Sequence, residues 1–404
     1  MDSFKFPKNF IFGTSTSAFQ VEGAGRTEWQ NFIGADGTKL DVAIDHYRKY
    51  KEDLEYILYL GNAYRFSMDW SVLQKSAFGI LDNEVADHYK EIFKTLKEEN
   101  KKTMLVLNHF SNPLWLIKKG GWAVKESVDI YFDYVKKVLD VFSGYIDYIN
   151  TFNEPGAYAI MAYILKEFPP KRINPYLRSK VLSNICKAHR IVYDYIKENY
   201  PHIEVGISQA CMYVQPLRKK SVWQNFLRWF IDYYMFEHIH EMFTKDGKVD
   251  YIGFSYYGRI LISKYMIIAY EERGKKALDS MGLRYDDMWE IYPEGIYHYI
   301  KRFHNKYKKP IIITENGTCT NNDELRIENI YNHLYHVKKA IDEGIDVRGY
   351  FHWSTFDNYE LAHGFSKRFG LVSVDYNSPG LERKIKKSGE YYHKISSLNE
   401  LVKY

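Results

Sequence analysis

Residues 126–155 read ESVDIYFDYVKKVLDVFSGYIDYINTFNEP, and the fold turns on how this stretch divides. Up to Gly144 it carries apolar residues at helical spacing and stops on a glycine, as a helix does. Residues 147–153, DYINTFN, form a short, largely apolar run. Such a run is expected of a strand buried on both faces, as in a parallel sheet. It leads into Glu154 and Pro155. Asn153 and Glu154 are neighbours, so in a regular strand they would point to opposite faces. Pro155 cannot donate a ladder hydrogen bond and ends the strand. The stretch predicts a helix, a buried strand and an exit where the chain leaves β geometry, turning two polar neighbours toward one ligand.

The same rhythm runs the length of the chain. Strand-like runs occupy 10–16, 62–68, 103–109, 147–153, 204–210, 249–256, 310–315 and 347–353. Helix-like segments such as DHYRKYKEDLEYILYLG, ending in Gly61, and ELRIENIYNHLYHVKKAIDEG, ending in Gly344, lie between them. Eight strands alternating with helices imply right-handed βα units and a (β/α)8 barrel. A doubly wound open sheet would want a glycine-rich phosphate loop after its first strand, and FIFGTSTSAFQVEGAG is not one. No linker, hinge or repeat divides the chain, so residues 1–404 are expected to form a single barrel domain with shortened βα loops.

Composition bounds the partners. Hydrophobic residues make up 46% and charged ones 26% of the 404 positions, as in a globular protein with a sizeable core. Basic and acidic side chains, 56 and 51, nearly cancel, which gives no case for a nucleic-acid partner. Basic runs such as RKIKK (383–387) read as solvated surface. Cys186, Cys211 and Cys319 have neither disulfide-framework nor zinc spacing and fit a reducing compartment. The N-terminus does not read as a signal peptide, and no run is long enough to span a bilayer, so a cytoplasmic protein is expected. The run WQNFLRWFIDYYMF (223–236) reads as a buried helix rather than a membrane patch. ILISKYMIIAY (260–270) is the other apolar, aromatic stretch, and peripheral membrane association is not expected from either. There is no HExxH, P-loop or dinucleotide fingerprint, so neither metal nor cofactor is expected.

In a barrel, catalytic groups gather where the strands exit. Here the exits carry Gln20 and Glu22, Arg65, His109, Asn153 and Glu154, Tyr256 and Tyr257, Glu315 and Asn316, and Trp353 with Asp357 and Glu360 beyond it. Any one of these has a bland reading as a surface acid, a core histidine or a core tryptophan. Their coincidence at so many exits favours a site. Glu154 and Glu315 leave strands four and seven, whose ends can face each other across the barrel mouth. Two such acids suit glycosidic bond cleavage, one protonated to help the leaving oxygen and one ionised to attack the anomeric carbon. Arg65 would keep the nucleophile charged and Tyr257 would orient it. A retaining enzyme would hold the two carboxyl groups roughly 5–5.5 Å apart.

The motifs, in order along nearly the whole chain, resemble glycoside hydrolase family 1, the retaining β-glucosidase and β-galactosidase family. They are FIFGTSTSAFQVEG, DHYRKYKEDLEYI with AYRFSMDW, HFSNPLWL, TFNEP, ITENG and WSTFDNYELAHGFSKRFGLVSVD. The resemblance implies that Glu154 is the acid/base, Glu315 the nucleophile and Asn153 the partner of the sugar 2-hydroxyl. It further implies that Gln20, His109 and Glu360 bind the other hydroxyls, that Trp353 floors the subsite, and that a cis peptide follows Trp353. The family pattern differs at Leu361, where a second tryptophan is usual, at Ser255 (usually Asn) and at Val72 (commonly Arg). Glu360, without a phosphate-binding Ser/Lys/Tyr set near it, argues against 6-phospho-sugars. The expected activity is hydrolysis of β-D-glucosides and β-D-galactosides or related small glycosides and oligosaccharides, by an exo-acting double displacement. A chiefly transglycosylating enzyme and an inactive sugar-binding homologue are the alternatives. No oligomeric state is assigned.

Overall fold

The structure is a computed structural model that describes residues 4–263, 267–268 and 272–404. Its frame runs β1 (Ile11–Ser15), α1 (His46–Leu60), β2 (Ala63–Ser67), α2 (Asn83–Glu98), β3 (Lys102–Val106), α3 (Glu126–Phe142) and β4 (Tyr148–Asn153). It continues with α4 (Pro155–Tyr163), α5 (Pro175–Asn199), β5 (Glu204–Pro216), α6 (Val222–Ile231), α7 (His238–Thr244) and β6 (Ile252–Ile262). The last part comprises α8 (Glu272–Ser280), α9 (Glu294–Tyr307), β7 (Ile311–Asn316), α10 (Asp323–Asp342), β8 (Val347–Trp353) and α11 (Lys387–Leu398).

Each barrel strand lies parallel to the next, and β8 returns to β1 with Trp353 opposite Ser15. Pairing of β5 with β6 completes the ring. The result is a closed eight-stranded parallel barrel with helices between the strands, as the sequence rhythm predicts. Ile11, Ala63, Met104, Tyr251, Ile312 and Phe351 form a small apolar cluster of their own, drawn from six strand segments around the ring. A larger core joins the strands to the helices around them.

Helix stops work as expected at one glycine and differently at another. Gly344 has φ +86, the left-handed turn that glycine adopts without penalty. Gly61 is extended, and a Cβ there would stand 2.3 Å from the Phe12 carbonyl oxygen. It is glycine for close approach to β1, not for a left-handed cap.

Two sequence expectations are corrected. RKIKK is not simply solvated surface: Arg383 is buried, and its guanidinium bonds Asp53 at 2.7 and 3.0 Å. An acid buried on α1 requires a buried cation opposite it. The run 223–236 is not a buried helix either. It forms α6 and a π-helical segment, Asp232–Glu237, with Trp223, Phe226, Trp229 and Phe230 all 45–53% exposed. The physical reason is that the segment is apolar on two faces, and only one has a partner. Strands β5 and β6 run beyond their expected ends and pair as far as Pro216 and Ile262. Val214, Ile260 and Ile262 on that extension take up Ile231 and Phe236, with Leu227 and Met235 packed alongside. Of the run 260–270, residues 260–262 are buried strand, and residues 264–266 and 269–270 lie outside the described residues. Among the described residues no helix is long and apolar enough to cross a membrane.

Candidate active site

The exit of β4 is built as its sequence requires. Pairing with β5 slips between Asn150 and Asn153. Glu154 then adopts φ 41, ψ 55, and its amide donates to the Ser208 carbonyl at 2.6 Å. Pro155 opens α4, where its missing N–H is no loss. The left-handed residue breaks the strand's alternation, and Asn153 and Glu154 serve one site from adjacent positions.

Arg65, wholly buried in β2, organises the floor. Its Nη1 donates to Glu315 Oε1 at 2.6 Å and its Nη2 to Asn153 Oδ1 at 2.6 Å. The Tyr257 hydroxyl donates to Glu315 Oε2 at 2.9 Å, so each oxygen of Glu315 has a donor. These contacts also fix the protons nearby. Arginine only donates, so Asn153 must turn its oxygen toward Arg65 and its Nδ2 toward His109 Nε2, 2.9 Å away. Nε2 is then the acceptor and the imidazole proton sits on Nδ1. Burial, with the Arg65 charge beside it, pushes the His109 proton affinity well below the usual range, so the ring is neutral. Its Nδ1–H is buried without a protein partner. It is a donor left for a ligand.

Beside this floor, Gln20 Nε2 donates to the Tyr359 carbonyl at 2.9 Å and approaches Asn358 Oδ1 at 3.2 Å and Glu360 Oε2 at 3.4 Å. The Trp353 indole N–H also faces Glu360 Oε2 at 3.4 Å, and the peptide after Trp353 is cis. Burial raises the Glu360 pKa to about 8, with the Glu315 charge adding to it against hydrogen bonds from Trp353 and Gln20. Burial likewise raises Glu154 to about 8, reinforced by the negative Glu315 and opposed by a hydrogen bond from Ser255 and the Arg65 charge. At neutral pH Glu154 therefore holds its proton and can donate it.

Gln20, His109, Glu154, Tyr257, Glu315, Trp353 and Glu360 line one cavity of about 270 Å³. Asn153 and Arg65 stand behind its wall. Its lining also has an apolar part, with Ile160, Met161, Met212, Met235, Phe236 and Ile260. Those residues carry no motif, and only their place in space marks them. Trp289 and Phe369 also line it, their ring centroids 4.8 and 6.0 Å from that of Tyr257.

Four strand-exit residues belong elsewhere. Glu22 accepts from the Tyr89 hydroxyl, and Asp357 accepts from the Gly370 amide and Lys386. Asn316 ties the Tyr256 carbonyl to the Tyr350 hydroxyl, while Tyr256 donates to the Tyr292 carbonyl. Leu361 lines the cavity at φ 45, and Ser255 lies 3.1 Å from Ser208, which in turn bonds Thr314. Val72 is not part of the lining. Among the described residues no cluster of three or more His, Cys, Asp or Glu could hold a metal ion.

The sequence model of glycosyl hydrolase family 1 matches residues 2–235 and 235–401. Beta-glucosidase A of Thermotoga maritima is 30% identical, over 98% of this chain and 99% of its own length. A beta-galactosidase of Saccharolobus solfataricus is 32% identical, over 79% of this chain and 73% of its own length. The solved structure of a beta-glycosidase from Pyrococcus horikoshii superposes with TM-score 0.87 at 31% identity, over 99% of this chain and 97% of that one.

Proposed function

The chain belongs to glycosyl hydrolase family 1, and from that premise we propose that it is a retaining exo-β-glycosidase acting on β-D-glucosides and β-D-galactosides. Glu315 attacks the anomeric carbon while Glu154 gives its proton to the departing glycosidic oxygen. The aglycone leaves and the sugar remains esterified to Glu315. That ester removes the negative charge that held the Glu154 proton, so Glu154 becomes a base, takes a proton from water and directs it at the same carbon. Asn153 meets the sugar 2-hydroxyl, a contact that strengthens as the transition state forms. The His109 Nδ1–H, Gln20 and Glu360 bind the remaining hydroxyls, and Trp353 floors the ring.

The observation that carries this reading is the environment of the two acids. One carboxylate is held between Arg65 and Tyr257, and the other faces the same cavity with its pKa raised to about 8. One carboxylate seated on a cation and a second carboxyl that keeps its proton are what double displacement uses. The apolar part of the cavity supports an alkyl or aryl aglycone. We further propose that the chain acts as one catalytic domain in the cytoplasm, where Cys186, Cys211 and Cys319, all free and buried, would stay reduced.

The test is to trap the intermediate. A 2-fluoroglucoside with a good leaving group should add one sugar to the peptide carrying Glu315, and hydrolysis of an aryl β-glucoside should first release the β-anomer. Labelling on another residue, or first release of the α-anomer, would overturn the assignment.

A further inference from the structure

Outside the cleft, the most unusual surface is α6. Trp223, Phe226 and Phe230 on it, and Tyr234 in the π-helical segment that follows, are outward positions spaced by three and four residues, with Trp229 beside them. All five are 44–53% exposed, and Val222 at the tip is 86% exposed. Phe226 is centred between Trp223, Trp229 and Phe230 at 5.9–6.5 Å. An exposed apolar stripe of this size on a folded protein marks an interaction surface.

Its surroundings specify the partner. Arg218, Lys219 and Lys220 precede the helix as an exposed basic run, and Arg228 lies within it. None of the four makes an ion pair with an acid among the described residues. Lys219 and Arg228 open onto a polar cavity of about 590 Å³ whose lining also holds Asp232 and Glu294, with Arg259 and Arg302 already paired to Glu290 and Asp232. Tryptophan and tyrosine on an apolar helix face, rimmed by unpaired cations, match the boundary of a bilayer, where the rings enter the headgroup layer and the cations meet anionic lipid. A second copy of the chain would bring the same cations against themselves.

The helix is also firmly mounted and joined to the cleft. Asp232, at its end, is held by Arg302 at 3.0 Å and by the Tyr299 hydroxyl at 3.1 Å. Three residues on, within the π-helical segment, Met235 and Phe236 enter the cavity wall. We propose that the α6 face is a docking surface for an anionic lipid bilayer, which holds the apolar part of the cleft close to the membrane. This goes beyond the glycosidase reading and does not depend on it.

The experiment is co-flotation of the full chain with phosphatidylcholine vesicles, with and without phosphatidylserine. The expected result is binding to the anionic vesicles that weakens with salt. Replacing Trp223, Phe226, Trp229 and Phe230 by Ser should cut partitioning by roughly tenfold or more. Replacing Lys219, Lys220 and Arg228 by Gln should cost about fivefold per charge on anionic vesicles only. Both variants should keep the wild-type circular dichroism spectrum and thermal unfolding midpoint, which shows that they fold. The proposal is overturned if the wild-type chain stays out of the floated fraction, or if the aromatic variant binds as well as wild type. It is equally overturned if light scattering finds a dimer that the aromatic substitutions dissolve.

Discussion

Arg65 and Glu315 stand 2.6 Å apart across the floor of the barrel, the arginine fully buried and the glutamate nearly so. Each offsets the cost of burying the other's charge, and the same guanidinium also fixes Asn153. Arg65→Gln should therefore lower kcat on an aryl β-glucoside by about 10²–10³-fold, the scale of losing one preorganised electrostatic partner. It should also destabilise the fold by about 3–5 kcal/mol, because a buried carboxylate loses its cation. Steady-state kinetics and chemical denaturation check the two parts. A variant as active and stable as wild type would show that the pair is not organising the site.

The Glu154 carboxyl, with its pKa raised to about 8, implies a pH profile. A raised carboxyl pKa means that the proton is present below that value and lost above it. kcat/KM should therefore fall on an alkaline limb near pH 8, governed by the general acid. Glu154→Gln should flatten that limb and slow substrates with poor leaving groups by about 10²–10⁴-fold. Substrates with good leaving groups should lose less in the glycosylation step, since they need little protonation. A limb that survives in Glu154→Gln would assign it to another group.

The strand exits were legible from sequence because a parallel barrel places an uninterrupted apolar run immediately before each polar exit. This is why Glu154 and Glu315 stand out, while Glu22, Asp357 and Asn316, equally well placed along the chain, turn to neighbouring helices, loops and strands. One dimension does not record which way a side chain turns once a strand ends. The apolar part of the cleft was invisible for a related reason. Met161, Met212 and Met235 come from three separate elements, and a methionine in a helix or strand reads as core until the fold leaves it facing a cavity. The outward face of α6 was misread because periodicity reports that a helix is apolar, not how many of its faces find a partner.

Asp53 and Arg383 make a second buried pair, outside the lining of the cavity. His46 Nδ1 lies 2.8 Å from the same carboxylate. Burial alone would push the Asp53 pKa up, but hydrogen bonds from His46 and Arg383 overcome it and leave the pKa below its usual value. A lowered carboxylate pKa contributes stability above the unfolded value, and that contribution is lost as pH falls through the folded one. Asp53→Asn should thus destabilise the fold by about 3–5 kcal/mol near neutrality. It should also lessen the further loss of stability on acidification, as seen in urea denaturation at several pH values. Activity per folded molecule should be unchanged, since the pair does not line the cavity.

The apolar part of the cavity makes a claim about the aglycone that can be separated from the chemistry. Met212 and Met235 line the cavity and are not among the residues assigned to the sugar, so they are expected to touch what leaves rather than what is attacked. Replacing both with Gln keeps their length but puts amides where an alkyl chain would lie, and those amides must give up water to admit it. The ratio of kcat/KM for octyl β-glucoside to that for methyl β-glucoside should fall by roughly tenfold in the double variant, mostly through KM. The methyl glucoside, which scarcely reaches this part, should be turned over at close to the wild-type rate, so a general loss of folding is distinguishable. An unchanged ratio would mean that the aglycone leaves by another route and that the apolar wall serves packing alone.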